Sequence, residues 1–220
     1  MNHWEEFLMP YTQAVDELKM KLKGIRKQFQ LENNHSPIEF VTGRVKPVVS
    51  ILDKAALKNI PLDRLAEEMQ DIAGLRMMCQ FVDDIELVVQ LLRGRKDFRI
   101  VEERDYIKNK KPSGYRSYHV VIEYPVETIN GKRKILAEIQ IRTLAMNFWA
   151  TTEHSLNYKY QGELPEAINL RLERAAEAAF QLDEEMSQIR EEIQEAQVYF
   201  SQNKDEKRSK PAGQERLTGK

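Results

Sequence analysis

The chain has 220 residues, with 34 Lys and Arg against 35 Asp and Glu; the net charge of -1 excludes the global basic field of a dedicated nucleic-acid binder. Its one cysteine, Cys79, excludes an internal disulfide and a cysteine-rich zinc site. No apolar run is long enough to span a bilayer and the N-terminus lacks the apolar core of a signal peptide, so a cytoplasmic protein with no membrane contact is expected.

The first predicted element is a helix over residues 1–35, in which Trp4, Phe7, Tyr11, Val15, Leu18, Leu22, Ile25 and Phe29 recur at steps of three and four. Lys19, Lys23 and Arg26 form a separate basic row on it, readable as a solvated face or as an anion site. His35-Ser36-Pro37-Ile38-Glu39 carries a capping-box pattern with proline at the first helical position, and predicts a helix start. Thr42-Gly43-Arg44-Val45-Lys46 reads as a tight turn bearing two cations. Ser50, Lys54 and Lys58 follow at four-residue spacing on a further helix, which makes a phosphate cradle without a P-loop pattern.

A short helix over Leu62–Gln70 then delivers Asp71 to a strand, Leu75–Val82, in which Leu75, Met77, Cys79 and Phe81 alternate with Arg76, Met78 and Gln80. Asp83 and Asp84 are expected to cap the helix Ile85–Arg93. A strand over Arg99–Tyr106 and the basic loop Lys108–Ser113 lead through Gly114 into a third strand that ends near Tyr124. Asn130-Gly131 marks a hairpin to the next strand.

That strand, Ile135–Arg142, alternates strictly: Ala137, Ile139 and Ile141 on one face, Glu138, Gln140 and Arg142 on the other. Thr143 can cap the following helix, which carries Phe148 and Trp149 as expected core residues. From Pro165, Leu172, Ala175, Ala179, Leu182, Met186, Ile189, Ile193, Ala196 and Phe200 form a coiled-coil-like seam. Residues 201–220 are polar and predicted to be a disordered tail.

The fold class implied is α+β: a mixed, largely antiparallel sheet of about five strands flanked by helices. Asp71 before one strand and Glu138 on another suit one Mg²⁺, and the surplus cations Arg44, Lys46, Lys54, Arg76, Arg104, Lys110 and Lys111 suit polyphosphate. Tyr115, placed after a glycine, suits a base stack. From composition and pattern alone, structural salt bridges and core packing are the favoured reading of the same residues.

The motifs GRVKP followed by Ser50 and Lys54, DIAGLR at Asp71–Arg76, SGYRSYH at Ser113–His119 and EIQIRTLAMNFWATTEH at Glu138–His154 together resemble the synthetase domain of the RelA/SpoT homologue family. The resemblance runs in order from about Ser36 to Tyr160. It looks closest to the small alarmone synthetases of the RelQ type. It implies a synthetase domain over 36–160, a helical extension over 161–200, and transfer of pyrophosphate from ATP to the 3′-hydroxyl of GDP or GTP, giving AMP and ppGpp or pppGpp in the stringent response.

By the match, Asp71 and Glu138 hold Mg²⁺, and Glu138 takes the hydroxyl proton. Arg44 and Arg76 sandwich adenine; Lys46, Ser50 and Lys54 meet the ATP phosphates. Tyr115 stacks on guanine beside Asn147 and Ala150. Arg104, Lys110, Lys111, His119 and Gln140 position the acceptor. The resemblance also implies a homotetramer activated by pppGpp at a site between subunits, to which Lys19, Lys23, Arg26, Phe40 and Thr42 contribute. A nucleotidyltransferase with another acceptor, and a non-catalytic oligomer binding RNA through the lysine-rich loop, remain the rival readings.

Overall fold

Apolar alternation builds the sheet and helical periodicity covers it. The computed structural model describes residues 3–32, 35–160 and 164–209. In chain order the elements are α1 (His3–Leu31), β1 (Phe40–Val45), α2 (Val48–Lys58), a 3-10 turn (Leu62–Arg64), α3 (Leu65–Glu68), β2 (Ala73–Cys79), α4 (Val82–Arg93), β3 (Arg99–Asp105), β4 (Tyr118–Thr128), β5 (Gly131–Thr143), α5 (Leu144–Lys159) and α6 (Glu166–Ser209). The five strands lie in the order β1-β2-β5-β4-β3. Only β2 and β5 are parallel; the other three pairings are antiparallel. The expected mixed, largely antiparallel α+β sheet is therefore what forms.

The apolar face of the sheet is sealed by α1 and α4. Leu75, Met77, Val120, Ile139 and Ile141 pack there with Tyr11, Val15, Leu18 and Leu22 of α1 and with Ile85 and Val88 of α4. The apolar row predicted on the first helix is thus absorbed by the chain's own sheet. Gly43 is where α1 comes closest: a Cβ on it would lie 2.9 Å from Val15 Cγ1. That glycine serves a close approach, not a turn.

Several expectations are corrected. Residues 36–46 form no helix start and no tight turn. The Glu39 amide donates to the Met78 carbonyl at 2.7 Å and leads into β1, so pairing with β2 overrides the local capping pattern. Ser36 Oγ instead closes a local turn with the Ile38 amide at 3.2 Å. The Asp83-Asp84 pair caps nothing: α4 starts at Val82 with no side-chain cap, and Asp84 is fully buried against His35 and Arg190.

Phe148 is 71 % exposed, while its neighbour Trp149 turns inward. The hairpin closes through Ile129-Asn130, with the positive φ at Gly131 alone, so it is not the type that needs two left-handed residues. α6 continues past Phe200 to Ser209, into the predicted tail; residues 210–220 lie outside the described residues.

Candidate active site

The register of the sheet assembles the site. Thr42, Arg76, Gln140, His119 and Arg104 stand opposite one another, one from each strand, in a single row across the open face. The adjacent row on the same face runs Arg44, Gly74, Glu138. A Cβ on Gly74 would meet only the Arg44 carbonyl oxygen, at 3.8 Å, so the floor between Arg44 and Glu138 is free of side chain. The result is a cavity of about 240 Å³ lined by Thr42, Gly43, Arg44, Lys46, Asp71, Gly74, Leu75, Arg76, Glu138 and Gln140.

Asp71, just ahead of β2, meets two cations from the other wall. Its Oδ2 accepts from Lys54 Nζ of α2 at 2.7 Å and from Lys46 Nζ at 3.0 Å. Burial pushes its pKa up, but the hydrogen bonds and charges of Lys54 and Lys46 outweigh burial and hold it below the ordinary carboxylate value. Its Oδ1 is buried with no hydrogen-bond partner.

Glu138 is held by His119 of β4 and Gln140 of β5. Oε1 lies 3.0 Å from His119 Nδ1, and Oε2 accepts from Gln140 Nε2 at 2.8 Å. Burial raises its pKa; the hydrogen bond and charge of His119, then Gln140 and Lys54, overcome that and bring it to about 2. Across the cavity, burial and the neighbouring Arg142 and Arg44 lower the pKa of Arg76, a crowding of cations that an anionic ligand would relieve.

Beyond Glu138 the polar chain continues. Tyr115 Oη lies 2.7 Å from His119 Nε2 and accepts from Arg142 Nη2 at 2.5 Å. Arg142 also donates to Gln140 Oε1 at 2.7 Å and to Ser117 Oγ at 3.2 Å. Lys111 Nζ stands 4.7 Å from the centre of the Tyr106 ring and 4.9 Å from that of Tyr115. Thr143 accepts from the Met146 amide at 3.1 Å and starts α5 as expected, which places Asn147 with its Oδ1 buried and without a hydrogen-bond partner. Ala150 packs with Trp149 and Ala176, with Tyr115 against them.

This geometry has counterparts. A profile described as "Region found in RelA / SpoT proteins" matches residues 43–163. The chain is 66 % identical over 201 residues to the GTP pyrophosphokinase YjbM of Bacillus subtilis (strain 168), which covers 91 % of this chain and 95 % of that one. This chain belongs to the RelA/SpoT family.

Crystal structures agree with the membership. Small alarmone synthetase 1 from Bacillus subtilis bound to its product pppGpp superposes with a TM-score of 0.85 at 65 % identity, over 88 % of this chain and 100 % of that one. The same synthetase bound to AMPCPP gives 0.78 at 61 % identity, over 89 % and 100 %.

Among the residues predicted for this RelA/SpoT protein, Arg44, Lys46, Asp71, Arg76, Glu138 and Gln140 line one cavity, with Lys54, His119 and Arg104 around it. Ser50 sits half-buried in the first turn of α2. Lys110 turns away to α6, where it lies 3.1 Å from Glu177. Lys19 pairs with Asp16 and Arg26 with Glu39, and neither lines the cavity; Phe40 and Thr42 are exposed on β1, and Thr42 does line it.

Arg142 is the residue the site reading left out. Its place in the alternating row with Glu138 and Gln140 was the available signal. Arg116 and Glu177, which brace the loop between β3 and β4, had no signal in sequence because 61 residues separate them.

Proposed function

We propose that this chain is a (p)ppGpp synthetase: it transfers pyrophosphate from ATP to the 3′-hydroxyl of GDP or GTP, releasing AMP. Relatives named GTP pyrophosphokinase match it along nearly its whole length. The observation that carries the reading onto this site is one cavity holding two ionised carboxylates, Asp71 and Glu138, within a ring of Arg44, Lys46, Lys54 and Arg76.

Arg44 and Arg76 are planar cations from paired strands and take the adenine between them. Lys46, Ser50 and Lys54 hold the donor phosphates. The partnerless Oδ1 of Asp71 together with Glu138 fits a single Mg²⁺, which completes its shell with phosphate oxygens and water. When bound, the ion neutralises charge on the transferring group.

Tyr115 stacks on guanine, and the orphan acceptor Asn147 Oδ1 receives an N–H from the guanine edge. Gln140, His119, Arg104 and Lys111 position the acceptor. The 3′-oxygen forms its bond to the β-phosphorus, the bond to the α–β bridging oxygen breaks, and AMP leaves with the electron pair. Glu138, ionised throughout the neutral range, receives the hydroxyl proton; positioning and charge neutralisation compensate for its low basicity.

Residues 36–160 form the synthetase domain of this proposal, with α1 closing its sheet, and α6 serves assembly. The α6 row Leu182, Met186, Ile193 and Phe200 is largely exposed, which supports a homo-oligomer, the tetramer implied by the resemblance. Lys19, Lys23 and Arg26 of α1, with Phe40 and Thr42 of β1, provide an activating pppGpp site between subunits. Among the described residues no helix is long and apolar enough to cross a membrane, and the reaction belongs in the cytoplasm.

The RNA-binding reading finds little support, because Lys110 and Lys111 are engaged by Glu177 and by two tyrosine rings. The deciding experiment is incubation with Mg²⁺, ATP and GDP followed by nucleotide separation. AMP and a guanosine 3′-pyrophosphate are expected. Release of free pyrophosphate with a nucleotidylated product would overturn the reading in favour of the other transferase.

A further inference from the structure

The loop between β3 and β4 carries two consecutive lysines that point to different places. Lys111 stands over the Tyr106 and Tyr115 rings, on the acceptor side of Glu138. Lys110 faces the other way, 3.1 Å from Glu177 Oε2 and 3.9 Å from Glu173 Oε1 on α6.

The same Glu177 oxygen accepts from Arg116 Nη2 at 3.0 Å. Arg116 is 7 % exposed, lies 4.1 Å above the Phe180 ring, and keeps Nε and Nη1 buried without partners. Between the two cations, Gly114 has a φ of +86° and touches α6 so closely that a Cβ would lie 2.6 Å from that of Ala176. Tyr115 follows that contact directly. One helix face, Glu173, Ala176, Glu177 and Phe180, therefore grips the loop on both sides of the glycine.

We infer that Glu177 is a positioning residue for the acceptor nucleotide. By binding Lys110 and Arg116 at one carboxylate, it fixes the loop so that Lys111 and Tyr115 stay beside His119, the partner of Glu138. This assigns Lys110 a tethering part instead of the acceptor contact the resemblance implied. The inference rests on the synthetase reading above.

Two features favour a tether over a surface ion pair. A lone exposed pair contributes little, but here one carboxylate is shared by two cations, one of them almost fully buried. With Lys110 free in solvent, the loop would be held to α6 only by the Arg116–Glu177 pair and by the packing of Gly114 on Glu173 and Ala176.

The test is steady-state synthesis with ATP and GDP varied separately, on wild type, Glu177→Gln, Lys110→Met and the double variant. Glu177 is 40 % exposed on a helix surface, so its replacement is compatible with folding. The expected result is an acceptor KM raised about 3- to 10-fold in each single variant with the ATP KM unchanged, and a double variant no worse than Glu177→Gln alone.

Equal changes in both KM values, or none, would overturn the inference. So would a lower acceptor KM in Glu177→Gln with a higher one in Lys110→Met, since that pattern makes Lys110 a phosphate ligand that Glu177 merely sequesters. Failure of the wild type to make alarmone would refute the synthetase reading itself, and is seen before any variant is compared.

Discussion

His119 and Glu138 are diagonal neighbours on antiparallel strands, joined by a 3.0 Å bond from Nδ1 to Oε1. The bond fixes both the ring and the carboxylate, so Glu138 presents its remaining acceptor capacity to the cavity. Replacing it with glutamine keeps the size and can keep both hydrogen bonds, yet removes the charge and the base. Glu138→Gln is expected to fold normally and to lose at least the ~10²–10⁴-fold typical of one general base. Nucleotide separation, with circular dichroism as a fold control, checks it; near-normal synthesis would remove Glu138 from the chemistry.

Tyr115 has a ring for stacking and a hydroxyl bound to His119 and Arg142, and the two can be separated. Tyr115→Ala should weaken guanosine nucleotide binding by about 1–3 kcal/mol with little change for ATP. Tyr115→Phe keeps the ring; it should retain most of the acceptor affinity while lowering turnover, because His119 and Arg142 lose a shared anchor. Calorimetry with each nucleotide decides, and equal losses for ATP and GDP would make Tyr115 structural.

Asp183 of α6 is buried and accepts from Thr143 Oγ1, the cap of α5, at 2.5 Å. Burial outweighs that hydrogen bond and lifts its pKa from 3.8 to about 6. A carboxyl raised on folding stabilises the fold fully below about pH 4, and that contribution is lost as pH rises through 6. Asp183→Asn should therefore be more stable than wild type at pH 8, by on the order of 1–3 kcal/mol, and converge with it near pH 4. Thermal melts at the two pH values test this. An unchanged difference across the range would mean that the carboxyl does not titrate there.

Activation by pppGpp is expected to need Lys23 and Arg26 but not the cavity. The double change Lys23→Ala, Arg26→Ala should abolish stimulation by added pppGpp and spare basal synthesis and oligomer size. A full response in that variant, or a wild type that sediments as a monomer at assay concentration, would sink the proposal.

The strand-to-helix unit from Glu138 to Thr143 was readable because alternation and a capping hydroxyl are local signals, and both form as written. β1 was not readable. Its pattern is short, interrupted by Gly43 and preceded by Pro37, and it becomes a strand only because Met78 and Ala73 lie beside it. Asp84 looked like a cap for the same reason: its partner Arg190 lies 106 residues away. That Arg44, Lys46, Asp71, Arg76 and Glu138 share one cavity was legible from charge and motif, whereas the brace of α6 on the β3–β4 loop depends on tertiary contacts that no local pattern encodes.

The lone thiol has its own use. Cys79 is fully buried at the end of β2, opposite Thr143 of β5, and burial, reinforced by Asp84, pushes its thiol far above the usual range. Only a thiolate in contact with solvent reacts at an appreciable rate. A thiol reagent therefore meets this protein only when the two parallel strands part, and with no second cysteine the signal is unambiguous. The labelling half-time thus serves as a clock for opening of the central sheet.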